Sequence, residues 1–429
     1  MRPSGLNSSK YFGTLDHNTR EATVRTMKLQ YSQNRVSYDF CRPSMIFAAT
    51  VAFSIFASFT SLKAEPGKAT KLLIERVPNG GIQPQLLSDT HGTLHLVYFS
   101  GNPSAGDLQY VRQEAGKAEW SKPIRVNSKS GSAIAVGSIR GAQMALGRNG
   151  RIHVAWNGSS EASPATHVGV PMLYSRMNDA GTAFEPERDM ITKAAGLDGG
   201  GSVAADAHGN VHVVWHALIP GAEADEGNRA VFLARSTNDG RDFGAEHQIS
   251  PADSGACGCC GLRAFSGDDG NLLVLFRGAS EKLNRSMRLL TSREGRNFES
   301  ILSHPWQTPN CPMSSAAFAQ SGTRTVAAWE SDQQIFWTAL KSGAGSTETP
   351  RSPSGAAKAR HPAISVSSDG STLVAWSEGT GWNRGGAFAW QLFDSTGKAS
   401  DMKGRQDGIP VWSFAAAVAK RDGSFLILH

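Results

Sequence analysis

The turn GRNG at 147–150, followed by the strand sequence IHVAW at 152–156, sets a pattern that the chain repeats. In each copy a short turn containing glycine precedes an apolar strand, and most of these strands end in an aromatic residue. The other copies are DTHG (89–92) before LHLVYF (94–99), DAHG (206–209) before VHVVW (211–215), GDDG (267–270) before LLVLF (272–276), QSG (320–322) before RTVAAW (324–329), SSDG (367–370) before TLVAW (372–376), and KRDG (420–423) before FLILH (425–429). The turn glycines are spaced 58, 59, 61, 52, 48 and 53 residues apart. A strand-only period of about 40–60 residues predicts small antiparallel sheets arranged radially.

A second strand pair follows most of these repeats. Its alternating apolar and polar residues predict outer strands, which begin at DLQYVR (107–112), PMLYSR (171–176), AVFLARS (230–236), SMRLLTS (286–292), QIFWTAL (334–340) and AFAWQLF (387–393). The seventh repeat lacks this outer pair, and the strand-like segment 70–77 can complete its sheet from the N-terminal side. We therefore expect an all-β chain forming a single β-propeller of seven blades, or alternatively six, closed by an N-terminal strand.

Residues 1–64 stand apart from the repeats. Residues 45–59 (MIFAATVAFSIFASF) form an apolar run that is short for a membrane span and is followed by small residues. This pattern is typical of a cleaved signal peptide, so we expect a secreted or periplasmic protein whose propeller occupies 65–429, with an uncleaved anchor as the alternative. The leader holds eight Lys and Arg and three Asp and Glu, which leaves 35 basic and 34 acidic residues in the rest of the chain. The mature charge is therefore near neutral, and we expect no nucleic-acid partner, no membrane partner after cleavage, and a monomer.

One outer turn, STNDGRDF at 236–243, has a specific chemistry. Its Asn side chain can bond the turn amides, its glycine accepts a positive φ, and its aromatic residue covers the side of the sheet. The turns DAGTAF (179–184) and TSREGRNF (291–298) are degenerate copies. These turns resemble the Asp-box (BNR) repeats of the sialidase, or neuraminidase, superfamily, and with the periodic strands the resemblance covers nearly all of 70–429. It implies that the turns are structural and lie on the face away from the active site.

Because antiparallel strands alternate in direction, the opposite face collects the segments that enter each innermost strand and those that leave the second strand. These segments carry Arg, Glu, His and Trp, which suit acidic ligands and sugar rings. We expect a glycan or an acidic small ligand to be bound there by Arg140, Arg263, Arg360, His361, Trp382, Arg384, Asn157 and His216. If the protein hydrolyses glycosides, Glu378 and Glu330 are the candidate catalytic carboxylates. The tryptophans that end the strands are expected to pack between blades.

The resemblance also implies catalytic residues that this sequence lacks. A hydrolytic sialidase is expected to have an Arg-Ile-Pro motif in its first blade and a late tyrosine nucleophile activated by a glutamate. Here 82–84 reads Ile-Gln-Pro, and Tyr174 is the last tyrosine of the sequence. Standard exo-sialidase chemistry is therefore not expected, and enzymatic activity is left open, with a non-catalytic protein-interaction propeller as one alternative.

Four cysteines remain once the leader is removed: Cys257, Cys259 and Cys260 before the fourth repeat, and Cys311 before the fifth. In an exported protein this number predicts two disulfides, with three pairings available. A thiolate site for a soft metal, or a redox site, is the alternative, although the spacing matches no standard zinc motif. No other cofactor is expected.

Overall fold

The computed structural model describes residues 70–162, 169–281, 283–341, 345–353, 355 and 358–429. The predicted leader, with its apolar run at 45–59, lies outside these residues. Residues Gly67–His429 form one compact unit, in which seven sheets are arranged in a ring. The seven-bladed prediction is confirmed, and the six-bladed alternative is wrong. Within the described ranges no helix is long and apolar enough to cross a bilayer.

Each of the first three blades is a four-stranded antiparallel sheet whose first strand faces the axis of the ring. The strands of the first blade are β2 (Ile82–Ser88), β3 (Leu94–Asn102), β4 (Ala105–Gln113) and β5 (Ile124–Arg125); those of the second are β6 (Gln143–Leu146), β7 (Ile152–Asn157), β8 (Met172–Arg176) and β9 (Arg188–Asp189); those of the third are β10 (Ser202–Ala205), β11 (Val211–Leu218), β12 (Arg229–Ser236) and β13 (His247–Gln248).

The next three blades repeat this order. They comprise β14 (Arg263–Ser266), β15 (Leu272–Arg277), β16 (Met287–Ser292) and β17 (Glu299–His304); β18 (Ala316–Ser321), β19 (Arg324–Ser331), β20 (Gln334–Lys341) and β21 (Ser346–Thr347); and β22 (Ala359–Val366), β23 (Thr372–Glu378), β24 (Gly386–Phe393) and β25 (Ala399–Ile409). Single-turn 3₁₀ helices occur at Pro78–Gly80, Arg148–Gly150 and Glu226–Asn228.

The seventh blade joins the two ends of the propeller. It contains β26 (Ala416–Ala419), β27 (Phe425–Leu428) and the N-terminal strand β1 (Leu72–Glu75), which pairs in parallel with β27. Backbone hydrogen bonds continue past both strand ends, for example from the amide of Val77 to the carbonyl of His429 at 3.0 Å. The predicted closure by segment 70–77 is confirmed, and it covers an edge of β27 that would otherwise be free to pair with another chain.

Local turn chemistry forms the inner hairpins. In the first blade the Asp89 carboxylate accepts hydrogen bonds from the amides of His91 (2.9 Å) and Thr93 (2.8 Å), and Gly92 takes a φ of 84°. Asp206 bonds the amides of His208 and Asn210 in the same way. An Asp at the start and a Gly at the left-handed position fix the turn and hence the strand register, so this part of the pattern is readable from sequence.

The core lies between neighbouring blades. Trp156, Trp215 and Trp329 at the strand ends are at most 1% exposed and pack in apolar clusters that join successive sheets. The expectation that these tryptophans pack between blades is confirmed. The outer turn at 236–243 lies on the same face as the inner glycine turns, because the amide of Asp239 bonds the carbonyl of Gly209 at 2.8 Å.

Candidate functional site

The innermost strands place seven equivalent residues around the axis of the ring. In each of the first six blades one residue of the innermost strand pairs with the residue before an aromatic of the second strand, which is Tyr98 in the first blade. In the last blade the corresponding residue pairs with the residue before His429. These residues are Gln85, Gln143, Ser202, Arg263, Ala317, Ala363 and Ala416, and all seven line the central cavity. One half of this ring of side chains is therefore polar, and the other half consists of alanine.

The cavity follows the central channel and has a volume of about 1510 Å³. Its wall consists of the innermost strands and the glycine turns that follow them in all seven blades. Exposed turn residues such as Thr90, His91 and His208 are part of the wall, so the channel opens on the glycine-turn face. This volume exceeds the 300–1,000 Å³ that is typical of small-molecule sites.

Arg263 is the charged residue that the innermost strands contribute to the channel wall. The other charged Lys, Arg, Asp and Glu residues of the wall lie in the turns at its open end: Asp89, Asp206, Asp268, Lys420 and Arg421. The Arg263 Nε donates to the carbonyl of Ala316 (2.9 Å), and Nη1 donates to Oε1 of Gln85 (3.2 Å) on the opposite side of the ring. Both acceptors are neutral. Burial lowers the pKa of the guanidinium to about 10, so it stays charged at neutral pH.

The side chains around Arg263 provide further polar contacts and aromatic surface. The Gln143 side-chain oxygen is buried and has no hydrogen-bond partner among the described residues. The Ser202 hydroxyl accepts a hydrogen bond from the amide of Ala264 at 3.0 Å. Phe265 and Phe318 stack with their ring centres 5.6 Å apart, and both line the cavity. A charged group, neutral amides and ring faces thus share one enclosed space.

The opposite end of the channel is occupied by the segments that enter the innermost strands. Gln83 of the first blade is 1% exposed and donates through Nε2 to the carbonyls of Ala135 (2.6 Å) and Trp412 (2.8 Å), which precede the second and seventh blades. Ile139 is 6% exposed, and a Cβ added to Gly200 would lie 1.9 Å from its carbonyl oxygen. Only glycine permits this close approach, and the entering segments therefore pack together over the axis.

Backbone strain concentrates in the same segments. Non-glycine residues with positive φ occur before the innermost strands of three blades, at Ser138 (54°), Met313 (47°) and Trp412 (57°), and near the start of the innermost strand in two others, at Gln83 (54°) and His361 (49°). Left-handed conformations cost free energy in residues with a Cβ, and they tend to cluster where a fold holds a functional arrangement. These positions could not be identified from sequence, because left-handed conformations are expected from sequence mainly at glycine and asparagine.

Three of the predicted ligand-binding residues meet at the segment 198–201. Arg140 donates to the carbonyl oxygen (2.8 Å) and the carboxylate (2.7 Å) of Asp198, and Asn157 donates to the carbonyl of Gly199 at 3.0 Å. The ring of His216 lies beside Gly199 and is buried, which lowers its pKa to about 4. The Arg140 charge already has an acidic partner, and none of the three lines the channel cavity.

A second group contains Arg360, His361 and Glu330. His361 is 3% exposed, and its Nδ1 lies 3.2 Å from the Ser315 hydroxyl. Burial is the main cause that lowers the pKa of His361 to about 3, and the charge of Arg360 adds to it. Glu330 is 2% exposed and pairs with Arg277 at 3.3 Å, while the amide of Gln333 donates to it at 2.7 Å. Burial raises the pKa of Glu330 despite these contacts.

Glu378, Trp382 and Arg384 lie at the exit of the sixth blade. Glu378 accepts hydrogen bonds from the indole of Trp376 (2.8 Å) and from Arg405 (3.1 Å), both in its own blade. Trp382 is 58% exposed, Arg384 is also exposed, and a Cβ added to Gly137 would meet the Trp382 ring at 3.2 Å. The two candidate catalytic carboxylates therefore pair with different arginines in different blades.

The four cysteines meet between the segments that enter the fourth and fifth blades. Cys259 and Cys311 form a disulfide with a Cα–Cα distance of 6.5 Å, and Cys257 and Cys260 are free thiols whose sulfur atoms lie 2.9 Å apart. The structure thus contains one of the two expected disulfides.

Of the predicted ligand-binding and catalytic residues, Arg263 lines the channel cavity and the others do not. Gln85, Gln143 and Ser202 were not predicted. A sequence signal for them existed, because each pairs with the residue before an aromatic of the next strand, namely Tyr98, Trp156 or Trp215. The predicted site residues were sought in the segments that enter and leave the strands, whereas Gln85, Gln143 and Ser202 lie in the innermost strands themselves.

Comparisons with known proteins give matches among solved structures. No family model matches the sequence, and no curated protein matches it. A Hadza microbial sialidase is 13% identical, with a TM-score of 0.46 over 78% of this chain and 75% of the sialidase. The Penicillium chrysogenum alpha-L-arabinanase complexed with arabinobiose is 12% identical, with a TM-score of 0.45 over 77% of this chain and 99% of the arabinanase. A leech intramolecular trans-sialidase is 12% identical, with a TM-score of 0.39 over 80% and 64% of the two chains.

The seven sheets, their ring closure and the position of the 236–243 turn come from the chain's own geometry. By that geometry the chain is a seven-bladed β-propeller closed by an N-terminal strand.

Proposed function

We propose that the protein binds an acidic sugar in its central channel, with the carboxylate of the sugar on Arg263. The observation that carries this proposal is the Arg263 guanidinium, which lies in the cavity wall and whose hydrogen-bond acceptors among the described residues are neutral. An anion that reaches it would gain a charge-assisted, bidentate contact in a site screened from bulk water.

The rest of the wall supports a sugar in preference to a simple anion. Gln85, Gln143 and Ser202 offer amide and hydroxyl groups to sugar hydroxyls, and Phe265 and Phe318 offer apolar ring faces. Ala317, Ala363 and Ala416 leave space on the other side of the axis.

Binding without hydrolysis is the activity that this geometry supports best. Glu330 is held by Arg277 and Glu378 by Arg405, and neither lines the channel. Glycoside hydrolysis needs two carboxylates on either side of one bond. We therefore assign neither residue a catalytic role in this proposal.

We also propose that the protein is exported and acts as a monomer. The leader-like segment at 1–64 supports export, and the Cys259–Cys311 disulfide is typical of oxidising compartments. Cell fractionation with N-terminal sequencing tests export, and an intracellular protein with an unprocessed leader would contradict it. Size-exclusion chromatography with light scattering tests the monomer, and an associated species would contradict it.

The test of the binding proposal is calorimetric titration with sialic acid and glucuronic acid, with glucose and galactose as neutral probes. We expect the acidic sugars to bind the wild type and to lose at least about tenfold in affinity in Arg263→Gln, because a charged hydrogen bond contributes about 1.5–3 kcal/mol. Arg140→Gln, which removes an arginine outside the cavity, is the matched control and should bind as the wild type does. Equal binding of neutral sugars, or unchanged affinity in Arg263→Gln, would contradict the proposal.

A further inference from the structure

Four sulfur atoms converge where the segments entering β14 and β18 meet. The Sγ atoms of Cys257, Cys259 and Cys260 all lie within 4.8 Å of one another, and Cys259 is bonded to Cys311, which is 52 residues further along the chain. These cysteines lie outside the channel wall and play no part in the proposed sugar site. Their function therefore needs a separate explanation.

The cluster has a buried side and an accessible side. Cys257 and Cys260 are 2% and 3% exposed, Cys259 is half-buried and Cys311 is exposed. The Cys257 Sγ lies 2.9 Å from the Cys260 Sγ and 3.4 Å from the Cys259 Sγ. A buried dithiol is thus in direct contact with a disulfide that solvent can reach. A disulfide that only joins two loops needs no such neighbour.

The surroundings favour one thiolate in the buried pair. Burial alone would raise the pKa of Cys260, but the hydrogen bond from Cys257 and the nearby charge of Arg277 lower it. The pKa of Cys257 is raised by its hydrogen bond to Cys260 and by burial. Arg277 is held in place by Glu330, by the carbonyl of Arg285 and by the ring of Trp306, 4.9 Å from its guanidinium carbon. Of the two thiols, Cys260 is therefore the one that loses its proton more readily, as one sulfur of a reactive Cys-x-x-Cys pair does.

We propose that the four cysteines form a thiol–disulfide exchange site, in which the disulfide moves between the accessible pair Cys259–Cys311 and the buried pair Cys257–Cys260. Through the accessible pair the protein would exchange electron pairs with a dithiol or disulfide partner. The Cys257-Gly-Cys-Cys260 sequence supplies the inner pair, and Cys311 from the next blade supplies the outer partner of Cys259.

The exchange takes two displacement steps. Cys257 first passes its proton to the Cys260 thiolate. The resulting Cys257 thiolate attacks the Cys259 sulfur and forms a Cys257–Cys259 bond. The Cys259–Cys311 bond breaks at the same time, and its electron pair leaves on Cys311. Cys260 then attacks the Cys257 sulfur, which forms the Cys257–Cys260 bond and releases Cys259, and the Cys260 proton passes to Cys259. One proton and one negative charge end on the outer pair, as they began on the inner pair, so no external oxidant is needed for the rearrangement.

The experiment is disulfide mapping after equilibration of the full chain in glutathione redox buffers. Samples are quenched with acid, alkylated and analysed by peptide mass spectrometry. We expect the wild type to contain both the Cys259–Cys311 and the Cys257–Cys260 linkages, in proportions that change with the buffer. Cys260→Ser lacks the thiolate that accepts the Cys257 proton, so it should accumulate the Cys257–Cys259 linkage, with Cys311 alkylated, when the buffer is alkaline enough for solvent to take that proton. The matched variant Cys257→Ser, which lacks the attacking sulfur, should retain Cys259–Cys311 alone.

Three outcomes would overturn the proposal. These are a Cys259–Cys311 bond that persists as the sole linkage in the wild type and both variants, two disulfides that do not respond to the buffer, and four alkylatable thiols that release a stoichiometric zinc or copper ion. Circular dichroism checks that the serine variants fold. If they do not fold, the proposal is tested by the wild type alone, in which the proportions of the Cys259–Cys311 and Cys257–Cys260 linkages must change with the redox buffer.

Discussion

At the scale of single residues, buried histidines make the fold sensitive to acid. His216 and His361 flank the entering segments and are at most 3% exposed. Burial lowers the pKa of His216 to about 4 and that of His361 to about 3, from an ordinary value of 6.5. Below pH 6.5 the unfolded chain binds protons at these rings and the folded chain does not. Their contribution to stability is therefore complete above pH 6.5 and is lost as the pH falls towards 4 and 3.

His361→Asn tests this dependence, because asparagine tolerates the left-handed backbone at position 361. When the pH falls from 7 to 5, a buried histidine that stays neutral lowers the free energy of unfolding by about 2 kcal/mol, because the unfolded chain gains a proton there. Between pH 7 and pH 5 we expect the free energy of unfolding to fall by about 2 kcal/mol less in the variant than in the wild type. Denaturant unfolding at several pH values measures this difference. The exposed His208→Asn is the control, and an unchanged pH dependence in His361→Asn would show that the ring is protonated in the folded state.

The residue scale is also where prediction from sequence was least complete. Arg140, Arg263 and Arg360 were predicted from residue type and position, but their partners were not. Asp198 neutralises Arg140, whereas Arg263 meets only neutral groups. Such pairings depend on how loops from different blades fold against one another, and no local pattern encodes that arrangement.

At the scale of elements, the 236–243 turn joins two blades through a buried charge. Asp239 is 1% exposed, and its carboxylate lies 2.6 Å from Arg151 Nε and 3.6 Å from His153 Nε2 of the second blade. Burial would raise the pKa of Asp239, but the nearby His153 ring and the Arg151 guanidinium outweigh it and lower the pKa to about 2. The turn is therefore a structural contact between blades, as its chemistry predicted.

Asp239→Asn should destabilise the propeller by about 1–3 kcal/mol, because it removes a buried carboxylate from Arg151 and Arg176, which keep Asp179 and Glu185 as their remaining partners. Thermal and denaturant unfolding measure this cost. Asp242→Asn, at an exposed position of the same turn, is the matched control and should cost less than about 1 kcal/mol. Equal stability of the two variants would mean that Asp239 contributes no more than a surface residue.

Hairpins were well predicted because their determinants are close in sequence. Aspartate and glycine set the turns, and alternating residues set the strand faces. The segments entering the blades were poorly predicted, since Gln83, Ile139 and Gly200 acquire their conformations from contacts across the ring.

At the scale of the whole molecule, ring closure decides which opening can accept a ligand. The sequence indicated seven blades and a mouth on the face of the entering segments. In the structure those segments pack together around Gln83 and Ile139, and the cavity extends instead to the glycine-turn face. Counting blades requires only local periodicity, whereas the shape of the axis depends on all seven blades at once.

The most direct test of the sugar-binding account is a crystal structure of the protein with bound sialic acid or glucuronic acid. The account predicts the sugar in the central channel, its carboxylate paired with Arg263 and its hydroxyls near Gln85, Gln143 or Ser202. A sugar bound on the opposite face, among Arg140, Trp382 and Arg384, with the channel unoccupied, would contradict it.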